Sequence, residues 1–154
     1  MTGVPEHHLA LPFFEGLISE DPQLNVIPGI AERWEISPDG LVSTFHLRGE
    51  ARWSNGDPVT ADDFIQSYPR MISPALGAAS APMRGSVVDA EDYSRGKLTD
   101  FAQTGFKAPA ARTAQLTPHQ PTPFLLHALN HDAWHPLPIA TLKKFGALDR
   151  QSTP

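Results

Sequence analysis

The chain has 154 residues, enough for one domain with a core of its own, and 40% of them are hydrophobic, which excludes a charge-dominated disordered chain. A formal net charge of -5, with Lys and Arg scattered apart from Lys143-Lys144, leaves no basic stripe, so nucleic acid is not an expected partner. No apolar run approaches the roughly 20 residues that span a bilayer, and no basic stretch followed by an apolar one opens the chain, so neither membrane insertion nor a signal peptide is expected in it.

In chain order, residues 5 to 17 carry Leu9, Phe13 and Leu17 at i, i+4, i+8 and predict a short helix, with Pro12 inside it. Residues 34 to 47 predict a hairpin: Trp34 and Ile36 alternate, Pro38-Asp39-Gly40 turns, and Phe45 and Leu47 alternate on the return. Asn55-Gly56 predicts a tight turn. Thr60, followed three residues later by Asp63, resembles a capping box and opens a helix with Phe64, Tyr68, Met71 and Ile72 on its core side. Residues 75 to 85 are rich in Ala, Gly, Ser and Pro and predict a loop or weak helix, and residues 89 to 97 a short helix stopped at Gly96. Residues 112 to 116 predict a strand. Residues 122 to 129 predict a helix capped by Thr122 with Pro123 at its first position, and residues 139 to 145 another ended by Gly146. Strands and helices mix without a βαβ rhythm or repeats, so the expected fold class is mixed α/β.

Candidate chemistry is sparse. His127, His131 and His135 stand at i, i+4, i+8, and histidines one helical turn apart can share zinc, but Pro136 biases His135 away from helix and no His-Glu-x-x-His pattern is present. Packed or solvated histidines are the expected reading, with no metal. Asp62-Asp63 reads as a pair of first-turn acids on a helix rather than as an acid-base pair. No Gly-x-Ser-x-Gly elbow nominates a nucleophile, so no catalytic residue and no cofactor is expected. Trp34, Phe45 and Trp53 read as core aromatics, with a ligand platform as the alternative. The absence of cysteine fits a cytosolic and a periplasmic protein equally.

One ordered set of segments goes further: Phe14-Glu15-Gly16-Leu17, Pro28-Gly29-Ile30-Ala31-Glu32-Arg33-Trp34-Glu35, Thr44-Phe45-His46-Leu47-Arg48, and Trp53 through Phe64. With Gly3-Val4-Pro5-Glu6, Asp89 to Tyr93, Gly105 to Ala108 and Lys144-Phe145-Gly146, this order and spacing resembles the front of the extracytoplasmic solute-binding proteins of family 5, the oligopeptide- and dipeptide-binding components of ABC transporters. The resemblance implies a partial first lobe of a type II periplasmic-binding-protein fold, starting after the first strand of that lobe and ending before the crossing to the second. It divides the chain into residues 1-12, bordering the cleft in the family, a partial lobe at 13-146 and a tail at 147-154.

The same resemblance implies an extracytoplasmic, periplasmic location, an oligopeptide ligand held non-catalytically between two lobes, and an ABC permease as partner. Gly3 and Val4 match a cleft-bordering segment and are the ligand-binding candidates; the alternative is a frayed N-terminus. The loop at 75-81 lacks the aromatic residue that peptide-binding relatives often turn toward the ligand. Pro12, Pro69 and Pro118 depart from the family pattern, and an interior helical proline costs about 3 kcal/mol. The alternative function is a structural or interaction module that self-associates or docks on a separate lobe; an enzyme using the histidines comes third.

Overall fold

The structure, a computed structural model, describes residues 15–72, 87–131 and 134–144. Strand β1 (Ile18–Glu20) turns back antiparallel onto β2 (Val26–Pro28). Asp21 holds that turn: its carboxylate accepts from Gln23 N, Asn25 N and Asn25 Nδ2, each at 2.9 Å, while Leu24 takes a positive φ of 64°.

Strands β3 (Ala31–Ile36) and β4 (Ser43–Leu47) form the expected hairpin, with Gly40 at φ 71° in its turn. Period-2 alternation sets the faces: Ser43, Phe45 and Leu47 are buried, while Thr44 and His46 are partly exposed. Asp39 accepts from Ser37 Oγ at 2.5 Å and Leu41 N at 3.0 Å, closing the loop. These hydrogen bonds, from Asn25 above all at Asp21 and from Ser37 at Asp39, hold both carboxyls below the ordinary 3.8. A depressed folded-state pKa contributes stability that is complete above the unfolded value and disappears as pH falls through the folded one. The amide resonances of Asn25 and Leu41 are therefore expected to hold steady down to about pH 4 and to move below it in an NMR titration, by little because both carboxylates are exposed.

Gly56, at φ 89°, supplies the tight turn after Trp53, closed by Gly56 N donating to Trp53 O at 2.9 Å. Helix α1 (Ala61–Ile72) follows, its capping box formed as expected: Thr60 N donates to Asp63 Oδ2 at 2.9 Å and Asp63 N to Thr60 Oγ1 at 3.4 Å. Phe64, Tyr68 and Ile72 form its buried face; Met71's side chain is outside the described set. Pro69 does lie inside this helix and removes the N–H that would bond the Ile65 carbonyl. The helix continues through it, held by the apolar face on either side.

Beyond residue 86 come α2 (Ala90–Ser94), stopped at Gly96 with φ 73°, a 3-10 turn (Phe101–Gln103), β5 (Phe106–Ala110) and β6 (Thr113–Leu116). The main sheet is antiparallel in the order β3-β4-β6-β5. Helix α1 packs on β5 and β6, and an aromatic group fills the space between. Tyr68 meets Phe106 at 4.9 Å and stands edge-on to Trp134 at 5.4 Å; Phe101 stacks on Phe106 at 5.5 Å. Pro118 sits two residues past the end of β6, in a bridge with Val87 where Thr117 O accepts from Val88 N at 2.9 Å.

Helix α3 (Leu125–Leu129) starts two residues later than expected, because Thr122 Oγ1 donates to Gln120 O at 2.9 Å instead of capping and Phe124 takes the N-cap position. Helix α4 (Ile139–Lys144) closes the described chain. The helix expected over 5 to 17 does not include residues 15 to 17, which are non-helical; Pro12 and the loop expected at 75 to 85 lie outside the described residues.

Candidate ligand-facing segment and its seat

The ligand candidates Gly3 and Val4, like the loop at 75-81, lie outside the described residues. What the structure describes is how the chain leading from them is seated, beginning at Glu15.

That seat is built from backbone. Gly16 O accepts from Ile30 N at 2.9 Å and Leu17 O from Ala31 N at 2.8 Å, so the segment before β1 is laced to the junction of β2 and β3. The approach is close enough to require glycine at position 29, where a methyl group would meet backbone, and it leaves little room at position 16, where one would press on the His135 side chain. A methyl group on Gly29 would stand 2.7 Å from Gly16 O and 2.9 Å from the Ile18 carbonyl carbon, and one on Gly16 would stand 3.0 Å from His135 Cδ2. Backbone cannot yield as a flexible side chain can. Arg48 adds an ion pair to Glu15 at 3.6 Å and donates to Pro28 O at 3.4 Å.

The next contact fixes β1 to α3. Glu20 Oε1 lies 2.7 Å from His127 Nδ1, and Glu20 Oε2 accepts from Asn130 Nδ2 at 3.1 Å. His135, in contrast, is buried beside Gly16. Helix α3 stops at Leu129, so the i, i+4, i+8 histidine spacing has no continuous helix to run on, and His127 and His135 go to different neighbours. Among the described residues no group of three His, Asp or Glu side chains is placed to hold a metal ion.

The chain after α3 returns to α1 and closes the seat from behind. Tyr68 Oη donates to Trp134 O at 3.4 Å, Leu137 N to Ser67 Oγ at 2.8 Å and Ile139 N to Asp63 Oδ1 at 3.2 Å. Asp63 thus serves the cap, the Trp53 indole (Nε1 to Oδ2, 3.3 Å) and the C-terminal segment together, while Asp62 is exposed, which bears out the reading of this pair as helix-start acids. Phe45 is fully buried; Trp34 and Trp53 are partly buried and pack against the core from its margin. Sequence reasoning missed His135 and Glu20 as parts of this seat. Gly16 and Gly29 were visible only as family motif residues, since the close approach is between segments 13 residues apart.

No helix among the described residues is long and apolar enough to cross a membrane. The mixed α/β fold is that of part of a lobe of the periplasmic-binding-protein fold. The chain belongs to the bacterial extracellular solute-binding proteins, family 5, whose family model (described as "Middle") matches residues 25–151. It is similar to the periplasmic oligopeptide-binding protein OppA of Haemophilus influenzae, at 38% identity over 94% of this chain and 27% of the relative. The OppA of Escherichia coli is also 38% identical, over 95% of this chain and 27% of the relative. The crystal structure of Haemophilus influenzae OppA in complex with RPPGFSPFR superposes with a TM-score of 0.87, covering 95% of this chain and 29% of that one. The Escherichia coli murein tripeptide binding protein MppA does so at 0.86, with 30% identity, 93% of this chain and 28% of that one. The chain therefore spans about a quarter of the length of these relatives, and its architecture is that of a partial lobe.

Proposed function

We propose that this chain contributes one wall of a peptide-binding cleft, as the solute-binding component of a peptide ABC transporter acting outside the cytoplasm. The mechanism is non-catalytic. An extended oligopeptide pairs its backbone with the segment holding Gly3 and Val4 in the manner of an added strand, and a transporter permease receives the loaded protein. In this reading residues 1-12 border the cleft, 13-146 form the partial lobe and 147-154 are a tail.

The observation that carries the reading is the seat at Gly16, Gly29 and His135, found in a chain 38% identical to oligopeptide-binding proteins. Such a seat holds residues 15 to 17 firmly against β2 and β3, and a fixed anchor beside the binding segment lowers the ordering cost of backbone pairing with a peptide. A peptide held by this chain alone is covered on one face, so weak binding is expected.

The test is thermal unfolding of the purified chain with a pool of tri- to pentapeptides. A Kd of about 0.1 mM and about 1 mM peptide would add about 1.4 kcal/mol, read as a rise of roughly 3 to 6 °C in Tm. No shift at tenfold more peptide would count against binding by this chain. The second reading, an interaction module without a ligand of its own, is favoured by a different observation, the outer edge of β3, unpaired among the described residues.

A further inference from the structure

Strand β3 ends the main sheet, and among the described residues it pairs only with β4. Its outward backbone can be identified. Ser37 N donates to Val42 O on the inner side, and antiparallel bonding alternates, so Glu35 and Arg33 bond inward and Trp34 and Ile36 direct their N–H and C=O outward. The other edge, β5, is blunted by Pro109, which has no N–H, and by a break in register between Lys107 and Ala110.

The side chains along β3 are self-complementary. On one face Arg33 and Glu35, 58% and 65% exposed, stand two residues apart, 2.5 Å between charged atoms, with His46 Nε2 of β4 3.1 Å from the same Glu35 oxygen. On the other face Trp34 is partly exposed and Ile36 is 52% exposed, an apolar pair at the open margin of the core. We propose that this edge is a docking surface for a second copy of this chain, the two β3 strands pairing antiparallel about a two-fold axis at Trp34 to join the four-stranded sheets into one.

Charge selects that register. With the axis at Trp34, Arg33 of each copy faces Glu35 of the other, twice by symmetry, and the two Trp34 residues exchange backbone hydrogen bonds. Moving the axis one residue either way sets Glu35 against Glu35 or Arg33 against Arg33, which is unfavourable. The apolar face gains cover in the same step at its centre, where Trp34 meets Trp34 of the second copy, while Ile36 stands opposite Glu32. Each copy uses up its β3 edge, and the β5 edge of the same sheet is blunted, so pairing through this sheet stops at two. The surface is independent of any peptide and stands or falls separately from the peptide reading.

Sedimentation of the full chain from micromolar to millimolar concentration tests this. The expected result is a monomer–dimer equilibrium weakened about tenfold or more by Arg33→Glu alone and by Glu35→Arg alone, and restored in the double swap, where opposite charges face again. Both side chains are more than half exposed, and an unchanged Tm in each variant shows that folding is intact. A monomer at every concentration, a dimer indifferent to the single swaps, a double swap that fails to recover, or species larger than two would each overturn the proposal. So would a monomer whose Trp34 and Ile36 amides resist hydrogen exchange, since the edge would then be covered by the chain itself.

Discussion

Asp63→Ala is expected to lower the free energy of unfolding by about 3 to 5 kcal/mol, read from urea denaturation followed by tryptophan fluorescence. The carboxylate is buried at 7% exposure and accepts from four donors: Thr60 N, Thr60 Oγ1, Trp53 Nε1 and Ile139 N. Hydrogen bonds to a charged group are worth about 1.5 to 3 kcal/mol each, and a buried donor left without an acceptor costs about 1 to 3 kcal/mol. Water entering the vacated space recovers part of this, which keeps the sum well below simple addition. Asp62→Ala, one residue away on the exposed side, is expected to change stability by no more than about 0.5 kcal/mol. Asp63→Asn separates the roles. Its oxygen can stay with the three donors at Oδ2, but its amide then meets Ile139 N donor to donor, so exchange of the Ile139 amide should accelerate while the cap persists. If Asp63→Ala costs less than about 1 kcal/mol, the carboxylate caps α1 and does not tie the C-terminal segment to it.

Asp63 also marks the limit of what the sequence displays. Its cap was legible, because Thr60 and Asp63 are three residues apart and capping is local. Its bond to Ile139 was not, because the partners are 76 residues apart. The same division runs through the fold. The β3-β4 hairpin follows from alternation of period 2 and from Gly40, and the buried face of α1 from the spacing of Phe64, Tyr68 and Ile72. By contrast, the helical spacing of Leu9, Phe13 and Leu17 did not foretell that Gly16 and Leu17 spend their carbonyls on Ile30 and Ala31. Thr122 has the chemistry of an N-cap, and a competing local acceptor, Gln120 O, takes its hydroxyl. The histidine spacing implied one helical face only if α3 continued past Leu129.

Trp134→Ala is expected to cost about 3 to 5 kcal/mol, the range for emptying a large buried aromatic site. Trp134 is 1% exposed, edge-on to Tyr68 at 5.4 Å and 6.1 Å from Phe106, so its loss opens the aromatic group on which α1 meets β5. Trp134→Phe should cost less, since a ring still meets Tyr68. The consequence reaches the seat of the N-terminal segment, because His135 follows directly and packs against Gly16. Faster exchange at the Ile30 and Ala31 amides, which donate to Gly16 and Leu17, would report that loosening. Asp63 and Trp134 hold the same returning segment through Ile139 and Tyr68, so the double alanine variant should lose less than the sum of the single losses: once either anchor has gone, the segment it held has already loosened from the other. Full additivity would show instead that residues 134 and 139 are held independently, and that the seat under Gly16 depends on Trp134 alone.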